Sequence, residues 1–164
     1  MENRQLVRGA GVLMAISSLP SAYGIGTMGK AAYDFVDMLV DLKQRYWQIL
    51  PIGPTSFGNS PYQPISAFAG NEYLIDLEAL VANRLLSYEE IRNYEWGNNS
   101  QDIDYSSIYL NRVKVLRLAF ERFDCSNEQF EQFVRDNNEW LEDYALFRAL
   151  KQYHEGREWT SWEE

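Results

Sequence analysis

The sequence predicts an α/β fold that turns mainly helical in its second half. Three observations predict it. Two apolar runs flank an amphipathic stretch at the spacing of a strand–helix–strand unit. All five prolines and eight of the ten glycines lie at or before Gly70. Charge separates too: residues 1–76 carry five basic and six acidic groups, net −1, and residues 77–164 carry ten basic and eighteen acidic, net −8. The first part therefore reads as short strands and shaped loops, the second as solvated helices.

The elements follow in order. "GVLMAI" (11–16) is a short apolar run closed by "SSLPSAYGIG", which suits a buried strand and its exit loop. "KAAYDFVDMLVDLK" (30–43) sets Ala32, Phe35, Leu39 and Leu42 on one helical stripe, with Asp34, Asp37 and Asp41 on the opposite, solvated face. "RYWQILPIGP" (45–54) is a second apolar strand, ended by prolines that cannot continue a ladder. Strand, helix, strand at this spacing is a βαβ unit, and both strands read as covered on two faces.

Further on, "SYEE" (87–90) fits a capping box with Ser87 as N-cap and Glu90 reaching back, and "SNEQ" (126–129) repeats that logic from Ser126. Between them Tyr109, Val113, Leu116, Phe120 and Phe123 keep a three–four spacing that reads as core. The last helix, "NEWLEDYALFRALKQYHEG" (138–156), is apolar almost all round and is expected to end at Gly156. A length of 164 residues fits one domain, able to bury roughly 70% of its unfolded surface.

Composition excludes several function classes. A net charge of −9 offers no basic patch for nucleic acid or an anionic membrane. One cysteine, Cys125, and one histidine, His154, cannot build an internal disulfide or, by themselves, a zinc site. They read as a packed thiol and a helix-end imidazole, and no metal or cofactor is expected. The beginning, "MENRQLVRGAG", lacks the basic-then-apolar pattern of a signal peptide, and no apolar run has transmembrane length. A cytoplasmic location is the expectation.

"GIGTMG" (24–29) matches the dinucleotide-binding glycine pattern letter for letter. In that fold the glycines follow the first strand directly, and an acidic residue closes the next strand. Here Pro20 and Tyr23 intervene, and the next strand ends "QILPIGP". The context contradicts the match.

The most informative stretch is "SFGNSPYQPISAFAGN" (56–71), sixteen residues without a charge. It leaves the C-terminal end of the second strand, where parallel α/β architectures bind ligands. Ser56, Asn59, Ser60, Gln63 and Asn71 supply neutral donors and acceptors, while Phe57, Tyr62 and Phe68 supply flat apolar faces. Pro61 and Pro64 stiffen the turn, and Gly58 and Gly70 let backbone approach closely. A sugar ring takes this combination: an aromatic platform for its C–H face and neutral partners for its hydroxyls. One stacked ring and two such bonds contribute on the order of 2–4 kcal/mol before entropy losses. A structural Ω-loop whose tyrosine plugs the end of the fold is the equal alternative on residues alone.

The run "YWQILPIGPTSFGNSPYQPISAFAGNEYLID" (46–76), with "SSLPSAYGIG" before it, resembles the N-terminal region of amylomaltases, the 4-α-glucanotransferases of glycoside hydrolase family 77. The resemblance is most specific at "GNSPYQ" and "FAGN" and extends to "LFRALKQYHEGREWTSW" (146–162). It implies the first two strand–helix units of a (β/α)8 TIM barrel in residues 1–76, then a mainly helical inserted subdomain in residues 77–164, with the rest of the barrel absent. It implies substrate-binding roles for Tyr62, beside the sugar next to the scissile bond, and for Ser60, on the donor glucan. It also places Phe57 at an outlying glucan contact, where tyrosine is frequent in the family; Phe57 has no hydroxyl to offer there. Asn59 stands where aspartate is common, Ala22 where proline is, and Ala15 where proline or histidine is.

The implied activity is transfer of α-1,4-glucan segments, with maltooligosaccharides and starch- or glycogen-derived glucans as partners. Retaining transfer needs two carboxylates about 5 Å apart, one nucleophile and one acid/base. In the family these, and a third stabilising aspartate, come from later barrel strands, and no position here matches them. Asp76 reads more simply as an N-cap, and Glu72 beside it is no substitute. No catalytic residue is therefore expected in this chain. The isolated piece is expected neither to turn over maltotriose nor to melt cooperatively, because two strands of eight leave open edges. A self-contained, non-catalytic carbohydrate-binding or interaction module is the competing expectation.

Overall fold

A computed structural model describes residues 7–56 and 58–162. Strand β1 (Gly11–Leu13) and strand β2 (Tyr46–Gln48) pair in parallel, with Gly11 opposite Tyr46, Val12 opposite Trp47 and Leu13 opposite Gln48. The ladder continues one bond past each end, Met14 N–H to Gln48 O at 3.0 Å and Arg45 N–H to Ala10 O at 2.9 Å. Helix α1 (Lys30–Asp41) makes the crossover, so the βαβ unit is present. Ala32 and Phe35 of α1 pack with Met14 and Trp47 against buried Ile16, Leu19 and Leu74. The Phe35 and Trp47 rings lie 4.9 Å apart, and Trp47 Nε1–H donates to Met14 O at 2.8 Å.

Both strands are shorter than expected, three residues each. After Leu13 the chain turns into a short 3-10 helix (Ile16–Ser18), and Pro51 and Pro54 lack the N–H that a longer β2 would need. Nor are the strands covered on two faces. Val12 and Trp47 are half-buried, but Gly11, Leu13 and Gln48 are exposed, because α1 lies against one face only. Leu42 leaves the expected α1 stripe and is exposed: the helix stops at Asp41, and Lys43 takes a left-handed φ of 57°. Asp34, Asp37 and Asp41 are solvated as expected, and Asp34 pairs with Lys30 at 2.6 Å.

The described residues form two compact units, one drawn from Met1–Ile65 and Gly70–Phe123, the other from Ser66–Ala69 and Asp124–Glu164. The first holds the main core, with helices α2 (Leu77–Ala82), α3 (Tyr88–Arg92) and α4 (Tyr105–Phe120). Leu77, Leu86, Ile91, Val115 and Ala119 are buried together there. The Ser87 capping box is complete: Ser87 Oγ accepts the Glu90 amide at 3.3 Å, and Glu90 Oε2 accepts the Ser87 amide at 2.8 Å.

Helix α4 departs from expectation. Its buried side is Ile108, Arg112, Val115 and Ala119, while Tyr109 and Phe120 point to solvent. The apolar stripe read from the sequence is displaced by one residue, about 100° of helix, because a charged residue occupies the inward register. Arg112 is 0% exposed. Its Nη2 donates to the Ile75 carbonyl, and its guanidinium carbon lies 5.7 Å from the Trp96 ring centroid. Burial pushes the group down to about 10, against the opposing pull of the Asp76 carboxylate.

In the second unit, α5 (Glu128–Asp136) is capped by Asn127, not by Ser126. Asn127 Oδ1 accepts the amides of Gln129 at 2.9 Å and Phe130 at 3.3 Å. Ser126 turns back instead and donates its hydroxyl to Asp124 Oδ1 at 2.6 Å. Helix α6 (Asn138–Tyr153) ends three residues before Gly156, at the His154 cap. Glu155 and Gly156 then take φ of 53° and 78°, and Gly156 N–H closes on Lys151 O at 2.7 Å. No residue of α5 or α6 is fully buried, so the apolar surface of α6 is only partly covered.

Candidate functional site

The uncharged loop is closed at its base by a short antiparallel stem. Thr55 bridges Pro64, and Ile65 N–H donates to Pro54 O at 3.2 Å. Ser56 Oγ adds a bond to Gln63 O at 3.3 Å. Within the stem the chain reverses twice. Asn59 N–H reaches Ser56 O at 3.1 Å, and Gln63 N–H reaches Ser60 O at 3.3 Å. The first reversal requires left-handed backbone, φ 87° at Gly58 and 54° at Asn59, which suits a glycine followed by one of the few side-chain residues that tolerate it. Ser60 Oγ accepts the Tyr62 amide at 3.3 Å, which fixes the backbone under the tyrosine and leaves the serine O–H to donate elsewhere.

The result is an exposed tyrosine on a hydrogen-bonded turn. Tyr62 is 69% exposed, while Ser60, Pro61 and Asn59 beneath it are half-buried. The structure thus brings Ser60 and Tyr62 together on one turn, with neutral donors and acceptors around them. Phe57 lies outside the described residues. Phe68, in the other unit, stacks on Trp140 with centroids 5.7 Å apart.

The root of the loop is anchored at Asn71, whose N–H donates to Ile52 O at 2.8 Å and whose Oδ1 accepts the Tyr73 amide at 2.9 Å. Beyond it Asp76 is the N-cap of α2, accepting the Ala79 amide at 2.8 Å. Asp76 Oδ2 also accepts the Thr27 hydroxyl at 2.5 Å. This pairing accounts for the glycines of "GIGTMG". A Cβ at Gly29 would lie 2.0 Å from Asp76 Oδ2, and one at Gly24 would lie 2.0 Å from Trp96 O. At those two positions the absent Cβ makes room for the protein's own atoms, which accounts for both glycines without a ligand.

The remaining candidates are quickly placed. Cys125 is exposed, not packed, because it sits in the turn between α4 and α5. His154 is the α6 C-cap and stacks on Trp162 at 4.9 Å. Among the described residues no group of three His, Cys, Asp or Glu side chains could hold a metal ion. No described helix is long and apolar enough to cross a membrane. Burial and the neighbouring Glu78 carboxylate push the Tyr23 phenol up; its O–H donates to Glu78 Oε1 at 3.4 Å.

Comparison with known proteins agrees with the resemblance. A family described as 4-alpha-glucanotransferase matches residues 14–164. The 4-alpha-glucanotransferase of Streptococcus pneumoniae serotype 4 is 50% identical over 157 residues, 94% of this chain but 31% of that protein. The Thermus thermophilus 4-alpha-glucanotransferase is 42% identical over 163 residues, 96% of this chain and 32% of that protein. Among solved structures, an amylomaltase from Streptococcus agalactiae in complex with acarbose superposes with a TM-score of 0.88 at 39% identity, covering 96% of this chain and 32% of that one. This chain spans about a third of the length of these relatives, and it belongs to the 4-alpha-glucanotransferase family.

Proposed function

We propose that this chain supplies part of the donor-side sugar site of a retaining 4-α-glucanotransferase and none of its reacting carboxylates. In this reading residues 1–76 are the first two strand–helix units of a (β/α)8 barrel, and residues 77–164 are a helical insertion. The observation that carries it is the exposed Tyr62 ring standing on the Ser60 turn of an uncharged loop. A phenol ring with neutral neighbours suits a glucose unit, whose C–H face stacks and whose hydroxyls seek uncharged partners. Phe57 is the candidate for an outlying glucan contact, one that lacks the hydroxyl of the tyrosine frequent there in the family.

The carboxylates that attack the anomeric carbon and protonate the leaving oxygen come from polypeptide equivalent to the other two thirds of the relatives. The transferred segment passes to the 4-OH of glucose or another glucan. Transfer outruns hydrolysis where a sugar, and not water, fills the acceptor side. The substrates are maltooligosaccharides and starch- or glycogen-derived α-1,4-glucans, in a cytoplasmic setting, with neither nucleic acid nor membrane as partner.

A hybrid enzyme tests this: residues 1–164 in place of the matching third of the Streptococcus pneumoniae relative. Tyr62→Ala in the hybrid lowers kcat/KM for maltotriose disproportionation by about 100-fold, since a contact to the sugar at the scissile bond acts in the transition state. Unchanged kinetics would remove Tyr62 from the site. The chain alone releases no glucose from maltotriose.

A further inference from the structure

Arg112 is the largest side chain wholly buried among the described residues, and it sits where α4 asks for an apolar one. Ile108 and Val115, about a turn away on either side of the same row, are also 0% exposed. The guanidinium carbon has the Trp96 ring centroid at 5.7 Å, and Nη2 donates to the Ile75 carbonyl. Nε and Nη1 are buried with no hydrogen-bond partner among the described residues. Asp76, whose charge bears on the guanidinium, already accepts from Thr27 and from the Ala79 amide. A buried charge with so few bonds costs stability, and an apolar side chain of similar volume in its place is commonly neutral or better. The packing of α4 therefore does not account for an arginine here.

What a long donor can do from this row is reach Ile75. That residue lies between a 3-10 helix (Glu72–Leu74) and α2, whose ladder begins at Asp76 O with the Leu80 amide at 3.3 Å, so the Ile75 carbonyl belongs to neither helix. Four residues earlier, Asn71 caps the 3-10 helix through the Tyr73 amide and closes the uncharged loop on Ile52 O at 2.8 Å. A second tie joins the same segment to the glycine-rich turn, Met28 N–H to Leu74 O at 2.9 Å. We infer that Arg112 is a positioning residue for glucan transfer: its hold on the Ile75 carbonyl fixes the Asn71–Asp76 segment, and with it the root of the loop that presents Tyr62. At 0% exposed it serves the sugar contact without touching sugar. The inference rests on the proposed role of Tyr62 and adds to it a residue of α4.

The test uses the hybrid enzyme carrying Arg112→Met, Arg112→Lys and Tyr62→Ala singly, and Arg112→Met with Tyr62→Ala together. A methionine fills the row but cannot donate. Arg112→Met lowers kcat for maltotriose disproportionation by about 10-fold and changes KM by about 2-fold at most. It also speeds hydrogen exchange of the Asn71 and Tyr73 amides by about 10-fold. Its thermal midpoint does not fall, because the lost donor and the removed buried charge offset one another. Arg112→Lys recovers kcat to within about 3-fold of the parent, since one carbonyl needs one donor. Added to Tyr62→Ala, Arg112→Met costs no further rate, as a residue acting through that ring requires. Unchanged kcat and exchange in Arg112→Met would overturn the inference, and so would an equal loss of rate with Tyr62 already removed. A lowered midpoint or a lost fold in Arg112→Met, with no rescue by lysine, would make the residue structural and overturn it too. Faster exchange in a hybrid indifferent to Tyr62→Ala would leave the hold on the loop root standing and sink the sugar-site reading. Rate lost on Tyr62→Ala, with Arg112→Met silent, would do the reverse.

Discussion

Thr27 donates its hydroxyl to Asp76 Oδ2 at 2.5 Å while Asp76 Oδ1 accepts the Ala79 amide at 2.8 Å, so one carboxylate joins the glycine-rich turn to the start of α2. The same segment receives Arg112 at the Ile75 carbonyl and begins at Asn71, the root of the uncharged loop. The loop is therefore held from below by a buried polar joint.

Thr27 is 5% exposed, so Thr27→Val deletes a charge-assisted bond without changing shape. The change costs about 1–3 kcal/mol of local stability, read as faster hydrogen exchange of the α2 amides in the hybrid enzyme. Unaltered exchange would show that the joint does not hold α2.

Glu90 contributes to the acid response, beside Asp104 and Asp124, whose carboxyls are also held below the usual range by hydrogen bonds from Ser107 and Ser126. Hydrogen bonds from Arg122, then from the Ser87 amide and hydroxyl, hold its carboxyl at about 2 against an ordinary 4.5. A lowered carboxylate favours the folded state above pH 4.5 and loses that contribution as pH falls from 4.5 through 2. Thermal midpoints of the hybrid and its Glu90→Gln variant accordingly differ by a constant amount above pH 4.5 and converge below it. High salt narrows the difference, since Arg122 is 44% exposed. A gap independent of pH over that interval would contradict the assignment.

Helix α5 separates two readings of one motif. Asn127→Ala removes the acceptor for two amides and costs about 1 kcal/mol, read as hydrogen exchange at Gln129 and Phe130. Ser126→Ala leaves those amides protected. Equal effects would return the cap to Ser126.

Much of this was legible in the sequence where local chemistry decides. The Ser87–Glu90 box and the Asp76 cap follow from residues a turn apart, and the α1 crossover from the order and spacing of three runs over residues 11–54. The register of α4 was not legible, because periodicity counts apolar residues and its inward row contains Arg112, whose burial is settled by Ile75 and Trp96, far away in sequence. The only sequence signal was an arginine four residues after Ile108 and three before Val115, on the row that Ala119 continues. Two side chains competing for one cap, Ser126 and Asn127, could be ordered only by Asp124, which claims the serine. For the site, the absence of charge and the turn residues fitted an aromatic platform and a plugging tyrosine equally; the structure leaves the Tyr62 ring exposed. That Ser60 would brace Tyr62 through its amide depends on the turn geometry, which the letters do not specify.

The most direct test is a crystal of the hybrid enzyme soaked with a maltooligosaccharide. The account predicts a glucose ring within about 4 Å of the Tyr62 ring, with the Ser60 hydroxyl on a neighbouring sugar oxygen. A glucan bound in the catalytic cleft with no unit near Tyr62 would contradict it.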